Sequence, residues 1–344
     1  LFQRYAVAER IRSMSITIKD VAKEAGVSVA TVSRVLNGSC NVSDESTKKV
    51  NETIARLNYS PNFLGRNLRK CETNVILVIM PTSEHSLYSK IVMGMQEYAG
   101  KVGYDIITAV SYSTSTAETR QMNMLFNRTV DGVILLGTQY DAASLNKLAE
   151  NYNVALCCEG VEGANVLTVA VDDEQAAFDA VAALIKKGHK RIGFIGTNSA
   201  AISSTARENG YIRALKEYGI EIKNEYIYKE SYDYDCGGRA FEYFNALAEK
   251  PTAIFAVSDL LAISAMHKAI DMDIDVGKDV AIMGFDNISM CEWIIPTLST
   301  VEQPCSKMGE LVVAKLIENM NKTTKDNHYY TVDHRIILRE STGD

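Results

Sequence analysis

The chain has 344 residues, of which 47% are hydrophobic and 23% are charged. At about 150 residues per domain this length predicts two to three domains, and the composition excludes a short peptide, a disordered chain and a collagen-like repeat. The longest apolar runs are much shorter than the roughly 18 residues that are needed to cross a bilayer. We therefore expect folded domains and no membrane segment.

The cysteines and the N-terminal residues indicate the compartment. Seven cysteines form no C-x-x-C pair, which predicts reduced thiols in a cytoplasm rather than a disulfide framework or a zinc site. Residues 1–13 contain no Met and no apolar stretch. We interpret them as an extension that precedes a natural start at Met14 and is not a signal peptide, and we assign residues 1–15 to it. We therefore expect a cytoplasmic protein.

The charges are divided unevenly along the chain. Residues 1–71 contain twelve Lys and Arg against six Asp and Glu, a net charge of +6, whereas residues 72–344 contain 24 against 37, a net charge of −13. A small basic segment ahead of a larger acidic one predicts that the first binds a polyanion and that the second has a different task. On charge alone, a chance excess of surface lysines is the alternative.

The basic segment begins with the pattern of a short helix. Apolar residues recur at i, i+3, i+4 and i+7 from Ile18, and Thr17 with Asp20 three residues later is a capping-box start. Gly26 ends this helix. On its own, a pair of small helices joined by a glycine turn is equally compatible with structural packing.

The next helix has a surface suited to DNA. It begins after Ser28, which caps it, and runs to about residue 36. Its apolar residues form one face, whereas short side chains and one Arg occupy the other. A helix in the major groove of B-DNA needs such a face, because bulky side chains would hold it away from the base edges. The residues of this outer face are Ala30, Ser33, Arg34 and Asn37. A third helix, which begins after Ser43, closes a small core.

The segment TIKDVAKEAGVSVATVSRVLNG, residues 17–38, resembles the DNA-reading head of the LacI/GalR family of bacterial transcription regulators, and VSDESTKKVNETIARLNYSPN continues the match. The resemblance implies a helix-turn-helix domain over residues 16–60 that binds operator DNA. The expected base contacts are Val29, Ala30 and Arg34, and the expected phosphate contacts are Thr17, Ser28, Thr31, Ser33 and Asn37.

Residues 61–71 resemble the hinge helix of the same family, with Leu68 at the position of its leucine wedge and Arg69 beside it. An apolar wedge in the minor groove unstacks a base step and kinks the duplex. Gly65 departs from the small helix former that is usual at its position, and it is expected to loosen the hinge in the absence of DNA. A plain basic linker is the alternative, but such a linker would not need Leu68.

Beyond residue 71, apolar runs alternate with longer amphipathic stretches, which predicts parallel sheets with helices on both faces. The predicted strands are 75–80, 106–110, 133–136, 154–158, 191–195, 253–257 and 280–285. The stretches VDGVILLG, VDDEQAAFDAVAALIKKGHKRIGFIG, KPTAIFAVSD and MGFDN resemble the family's core, which is shared with periplasmic sugar-binding proteins. The resemblance implies an α/β fold of two doubly wound lobes, with bounds at 72–170 plus 301–331 and at 171–300 plus 332–344.

Sequence motifs of enzymes are missing. No G-x-G-x-x-G follows the first predicted strand, and no phosphate-binding loop, H-x-x-x-H pair or G-x-S-x-G elbow occurs. We therefore expect no catalytic activity, no cofactor and no metal site.

Polar residues follow the predicted strands where doubly wound sheets bind ligands. Asp286 follows strand 280–285, Ser258 and Asp259 follow strand 253–257, and Arg207 is expected to begin a helix after the loop 203–206. By resemblance, Asp286 and Arg207 match family residues that hydrogen-bond the effector.

The resemblance further implies that Ser258 is a polar contact and that Tyr88 and Tyr232 are aromatic walls of the pocket. An Asp and an Arg with aromatic platforms suit a sugar or a sugar phosphate. The alternatives are that Asp286 caps the next helix and that Arg207 pairs with a surface carboxylate.

Several stretches, among them residues 30–37, are most similar to the catabolite control proteins of this family, whose corepressor is a serine-phosphorylated phosphocarrier protein. Lys307 and Ala314 depart from that branch's docking residues, whereas Arg335 agrees. We therefore predict a homodimeric repressor of carbohydrate utilisation that binds a pseudo-palindromic operator under the control of a small sugar-like effector. Control by the phosphocarrier protein is the alternative, and a sugar-binding protein without a DNA role, which would lack residues 17–70, is the remote one.

Overall fold

The computed structural model describes residues 16–36, 42–59, 72–198, 201–322 and 325–343. The chain divides into two compact units, which we call the head, residues 1–72, and the body, residues 73–344. Outside the described residues lie the expected extension 1–15, the expected hinge 61–71 with Leu68 and Arg69, and the expected phosphate contact Asn37.

The described part of the head contains three helices, as the sequence predicts. They are α1 (Ile18–Ala25), α2 (Val29–Leu36) and α3 (Asp44–Leu57). The backbone N–H and the hydroxyl of Thr17 both donate to Asp20 Oδ2, at 2.8 and 2.6 Å, and so form the predicted capping box. Gly26 ends α1 in the left-handed region with φ +66°. The fully buried side chains at the centre of this small core are Val21, Val32 and Val50.

The first lobe of the body is built on a six-stranded parallel sheet. Its strands are β1 (Val75–Met80), β2 (Asp105–Val110), β3 (Gly132–Leu135), β4 (Val154–Cys157), β5 (Leu167–Ala170) and β11 (Tyr329–Thr331), in the order β11-β5-β4-β3-β1-β2. Its helices are α4 (Ser86–Lys101), α5 (Ser115–Phe126), α6 (Ala142–Asn151) and α11 (Cys305–Met320). The two faces of the sheet bury separate apolar clusters.

The second lobe repeats this arrangement with one antiparallel edge. Its strands are β6 (Ile192–Thr197), β7 (Ile227–Glu230), β8 (Ala253–Ala256), β9 (Ala281–Asp286), β10 (Ser299–Glu302) and β12 (Arg335–Ile337), in the order β12-β10-β9-β8-β6-β7. Its helices are α7 (Asp173–Lys186), α8 (Ile202–Glu217), α9 (Tyr234–Ala246) and α10 (Asp259–Asp271). Only β12, which pairs with β10, runs antiparallel among the described strands. The two doubly wound lobes confirm the predicted fold class.

Two sequence-based expectations about the body are wrong. The boundary at 300/301 would divide β10, yet β10 pairs with β9 and places Val301 opposite Phe285 in the second lobe, so this crossover falls after Glu302. In addition, Arg207 does not begin a helix, because α8 starts at Ile202. The polar run at 203–205 resembles a loop, but the N–H of Ser203 donates to Glu159 Oε1 at 2.9 Å, which satisfies a free amide of the first helical turn.

Helices α4 and α11 lie in close contact at two glycines. A Cβ atom on Gly94 would lie 2.3 Å from the carbonyl oxygen of Ser306, and one on Gly309 would lie 2.2 Å from that of Ile91. We expect Gly94→Ala to lower the free energy of unfolding of the body by about 1–3 kcal/mol, since the two backbones must move apart. Chemical denaturation measures this change.

Gly100 provides the matched control on the same helix. A Cβ atom there would meet no atom within 4 Å, so Gly100→Ala is expected to leave stability unchanged or to raise it by about 1 kcal/mol through helix propensity. Equal losses in both variants would contradict close packing at Gly94.

Candidate functional site

The outer face of α2 carries the three predicted base contacts. Val29, Ala30 and Arg34 are exposed, with 41% of Val29 accessible, whereas Val32 on the opposite side is fully buried. Within the described parts of the head, Lys49 and Arg56 pair with nearby carboxylates and Arg34 does not. The exposed face of α2 therefore presents short side chains and one unpaired cation, the surface that the sequence predicts.

The predicted phosphate contacts differ in how free their hydroxyl groups are. Ser28 Oγ accepts the N–H of Thr31 at 3.0 Å and shares a hydrogen bond with its hydroxyl at 2.9 Å. The hydroxyl of Thr17 donates to Asp20, and these bonds from Thr17 hold the pKa of Asp20 below its usual value. An anion beside Thr17 disfavours a phosphate at that point, so its hydroxyl is the least available of the set. Ser33 is half-buried.

A cleft of about 730 Å³ lies between the two lobes of the body, at the carboxyl ends of the strands of both sheets. This volume is typical of small-molecule sites. Doubly wound sheets bind ligands at this edge because their strand ends and loops converge there. The lining residues at or just after strand ends are Pro81, Ser111, Leu136, Cys158, Thr197, Val257, Asp286 and Gln303.

Asp286 is the buried carboxylate of the cleft, with 3% of the residue exposed. Gln303 Nε2 donates to its Oδ1 at 2.7 Å, and Arg207 Nη1 lies 3.5 Å from the same oxygen. His85 Nε2 lies 3.7 Å from Oδ2, too far for a hydrogen bond. The backbone of Asp286 has φ +119°, a strained conformation for a residue with a side chain. Asp286 therefore does not cap the next helix, because its carboxylate faces these cleft residues.

Arg207 is held by a buried carboxylate rather than a surface one. Its Nε donates to Asp173 Oδ1 at 2.8 Å, its Nη1 donates to the carbonyl of Val257 at 2.6 Å, and its guanidinium lies 3.6 Å above the ring of Phe285. Burial raises the pKa of Asp173, although Arg207 opposes this shift. These contacts fix the guanidinium so that one edge faces Asp286.

Among the described residues, three pairs of residues make polar contacts that join the two lobes around the cleft. Tyr232, one of the predicted aromatic walls, takes part in one of these contacts. The other predicted wall, Tyr88, lines the cleft as Tyr232 does. Burial raises the pKa of Tyr88, which keeps its phenol neutral. The three contacts are His85 Nε2 with Tyr232 Oη at 3.0 Å, Ser203 N–H with Glu159 Oε1 at 2.9 Å, and Lys90 Nζ with the carbonyl of Asn287 at 2.7 Å.

Ser258 and Asp259 are neighbours in sequence but differ in position. Ser258 lines the cleft and also accepts the N–H of Leu261 as the N-cap of α10. Asp259 is fully buried and does not line the cleft: its carboxylate accepts the hydroxyl of Thr300 at 2.5 Å and the N–H of Ile288 at 2.8 Å. Burial raises its pKa. The prediction that Asp259 binds the effector is therefore wrong, because one helical step turns it towards the protein interior.

Sequence reasoning missed several cleft residues, among them Gln303, His85 and Glu159. Gln303 directly follows β10, and a correct strand assignment would have placed it beside Asp286. His85 is one of five histidines scattered through the sequence, and only its position as the N-cap of α4 brings it to the cleft. Glu159 follows a predicted strand, which is the same signal that identifies Asp286.

Comparison with known proteins matches both units of the chain. Residues 17–62 match the family of bacterial regulatory proteins named after lacI, and residues 181–342 match a periplasmic binding protein-like domain. Catabolite control protein A of Priestia megaterium is 38% identical over 331 residues, which are 96% of this chain and 100% of that protein. The chain belongs to the LacI family. It is accordingly a DNA-binding transcriptional regulator, and its predicted similarity to the catabolite control branch is confirmed.

Two solved structures resemble nearly the whole chain. The transcriptional regulator CelR in complex with cellobiose is 27% identical, with a TM-score of 0.72, over 95% of this chain and 99% of that one. The lac repressor dimer bound to operator and the anti-inducer ONPF is 23% identical, with a TM-score of 0.86, over 95% and 99%, a likeness that supports the fold alone. In the described part of the LacI-family chain, none of the helices has the length and apolar character of a membrane span.

Proposed function

We propose that this LacI-family regulator is a cytoplasmic homodimeric repressor of carbohydrate utilisation whose cleft binds a small polyhydroxylated effector. The observation that carries the proposal is the buried Asp286, held at the strand ends by Gln303 and faced by Arg207. Such a carboxylate and guanidinium, in a cleft that Tyr88 and Tyr232 also line, supply the directional hydrogen bonds that sugar hydroxyls require. No catalytic step is part of the proposal.

The head is proposed to read the operator through the exposed face of α2. Arg34 donates to O6 and N7 of a guanine, while Val29 and Ala30 let the helix approach the base edges. Two heads on a dimer then bind two half-sites of a pseudo-palindrome. Phosphate contacts fix the position of the head along the duplex, and the hinge with Leu68 and Arg69 enters the minor groove. The proposed phosphate contacts are Thr17, Ser28, Thr31, Ser33 and Asn37.

The dimer is proposed to involve the loop between β9 and β10. Met290, Trp293 and Ile295 are 43%, 75% and 87% exposed in this loop, and neighbouring apolar side chains at such exposure are typical of protein contacts. We expect Ile295→Asp to raise the dissociation constant of the dimer at least about tenfold, because a carboxylate would be buried at the contact. Sedimentation velocity across a concentration series measures this change.

Tyr218 is the control for the dimer prediction, since it is also partly exposed, at 42%, but follows α8. Tyr218→Asp is expected to remain dimeric. An Ile295→Asp variant that dimerises as tightly as the unchanged protein would place the contact elsewhere.

Coupling between the cleft and the head follows from linkage. Effector binding changes how the two lobes close on each other, and we propose that this closure decides whether the paired hinges stay helical over the DNA. The effector then alters operator affinity by the same factor by which the operator alters effector affinity.

A thermal-shift screen tests the proposed effector site. The full chain is heated with sugars and sugar phosphates, with and without operator DNA, and a ligand of the folded state raises the transition temperature by mass action. The proposal expects at least one polyhydroxylated compound to do so, and its shift to change when operator is present. A complete absence of shifts across the panel would contradict it.

Control by a serine-phosphorylated phosphocarrier protein is the second candidate, favoured by the 38% identity to a catabolite control protein. Two departures from the docking residues of that branch weigh against tight docking, at Lys307, which is exposed, and at Ala314, which is half-buried. Arg335, which donates to Glu302 at 2.6 Å, agrees with that branch. Adding the phosphorylated carrier to the operator-binding assay distinguishes the two candidates. Only control by the phosphocarrier protein predicts that the carrier raises the affinity for operator.

A further inference from the structure

The cleft carries more negative than positive charge. Its charged lining residues in the described part of the chain are Asp141, Glu159, Asp286 and Arg207. The single cation is already neutralised, because Arg207 donates to Asp173 at 2.8 Å and lies 3.5 Å from Asp286. A ligand phosphate would therefore meet carboxylates without a free guanidinium to offset them.

The two carboxylates on the first lobe already have donors of their own. Asp141 caps α6 and accepts the N–H of Ser144 at 2.8 Å, and this contact with Ser144 lowers the pKa of Asp141, which keeps it ionised at neutral pH. Glu159 Oε1 accepts the N–H of Ser203 at 2.9 Å and its hydroxyl at 3.3 Å. Neither carboxylate has a Lys or Arg in an ion pair within the described residues.

Gln303 supplies an independent indication of what the cleft binds. Its Nε2 donates to Asp286, which fixes the orientation of the amide because a carboxylate only accepts. Its Oε1 is buried and makes no hydrogen bond to any described part of the chain, although 4% of the residue is exposed and it lines the cleft. Buried acceptors without a donor are rare and costly. The geometry therefore calls for a ligand that donates to Gln303.

One donor atom can serve both Gln303 and Asp286. Oε1 and Nε2 belong to one amide, so Oε1 lies within about 5 Å of Asp286 Oδ1. A ligand hydroxyl has one proton to donate, whereas an ammonium has three and no acceptor, which matches a carboxylate and an amide oxygen side by side. The carboxylates at the opposite wall add a favourable field for a cation.

We propose that the effector is an amine-bearing polyol of the amino-sugar class, with its ammonium seated against Asp286 and Gln303, and that the cleft rejects phosphorylated sugars. This inference rests on the proposed effector function of the cleft. The sequence alone predicts a sugar or a sugar phosphate. The inference excludes the sugar phosphate and specifies a sugar that carries a positively charged amine.

Isothermal titration of the full chain with charge-matched probes tests the inference. For each of the gluco, galacto and manno series the probes are the parent sugar, its 2-amino form, the N-acetylated amine and the 6-phosphate. We expect one 2-amino sugar to bind at least about tenfold more tightly than its parent and its N-acetyl form, with no measurable binding of its phosphate. Tighter binding of a parent sugar or a phosphate would overturn the inference and leave the effector function standing. Binding of no probe would contradict both.

Two variants make the test independent of a folding defect. Asp141→Asn keeps a good helix cap and removes one charge. It is therefore expected to weaken the binding of the amino sugar about threefold and to leave the binding of the parent sugar unchanged. Gln303→Met removes the acceptor at nearly constant length and is expected to abolish the preference for the amine, with operator binding retained as the readout of a folded protein. Full retention of the preference in both variants would overturn the inference.

Discussion

Replacement of Arg34 by Ala is expected to lower the affinity for a specific operator about 5- to 150-fold and to leave non-specific binding almost unchanged. Arg34 is exposed on α2 and has no carboxylate partner in the described head, so its guanidinium is available for a base edge. A bidentate contact to guanine contributes about 1–3 kcal/mol of discrimination between bases. Phosphate contacts supply the rest of the binding free energy, which depends on salt and not on sequence. Fluorescence anisotropy with operator and scrambled duplexes over a series of salt concentrations measures both components.

Arg56→Ala is the matched control, because it removes the same charge from the head at a residue that pairs with Glu24 at 2.9 Å. It is expected to affect both duplexes alike and only slightly. If Arg34→Ala also weakened both duplexes by one common factor, the assignment of α2 as the reading helix would be wrong.

An Asp286→Asn variant should lose its response to the effector while its affinity for operator in the absence of effector stays unchanged. Asn has the same shape as Asp, so the backbone at this position is no more strained than before. Arg207 keeps Asp173 as its partner, so the fold is preserved. Hydrogen bonds to a charged group contribute about 1.5–3 kcal/mol each. The ligand dissociation constant is therefore expected to rise at least about tenfold, measured by titration of the effector.

Asp259→Asn separates the effector site from general stability. Asp259 is equally buried, but it binds Thr300 and the backbone of Ile288 outside the cleft. This variant is expected to unfold at a lower temperature and to keep its ligand affinity in the folded state. Equal losses of ligand affinity in the two variants would show that Asp286 acts through the fold and not through the ligand.

The sequence predicts those parts of the molecule that local patterns determine. The capping pair Thr17 and Asp20, the glycine stop at Gly26 and the serine caps set the head helices with bounds close to those observed. Short apolar runs between amphipathic stretches predict β1 to β4, β6, β8 and β9, but they leave out β5, β7, β10 and β11. The predicted strand ends identify Asp286 as a cleft residue.

Local sequence patterns do not identify side chains that pair across distant segments of the chain. Arg207 and Asp173 are 34 positions apart, and Thr300 and Asp259 are 41 apart, so their pairing depends on how helices pack on the second sheet. The distinction between Ser258 and Asp259 depends on about 100° of rotation at the first turn of a helix. Gln303 was missed because β10 was divided between the lobes, and its register against β9 is a tertiary feature.

The basic head is proposed to read base pairs, and the acidic body is proposed to control this binding. Selection of the full chain against a random duplex library at about 150 mM salt, with and without the effector panel, tests this proposal most directly. We expect enrichment of a pseudo-palindrome with two half-sites, loss of that enrichment in Arg34→Ala, and an effector-dependent change in its strength. Uniform binding to all duplexes under every ligand condition would contradict it.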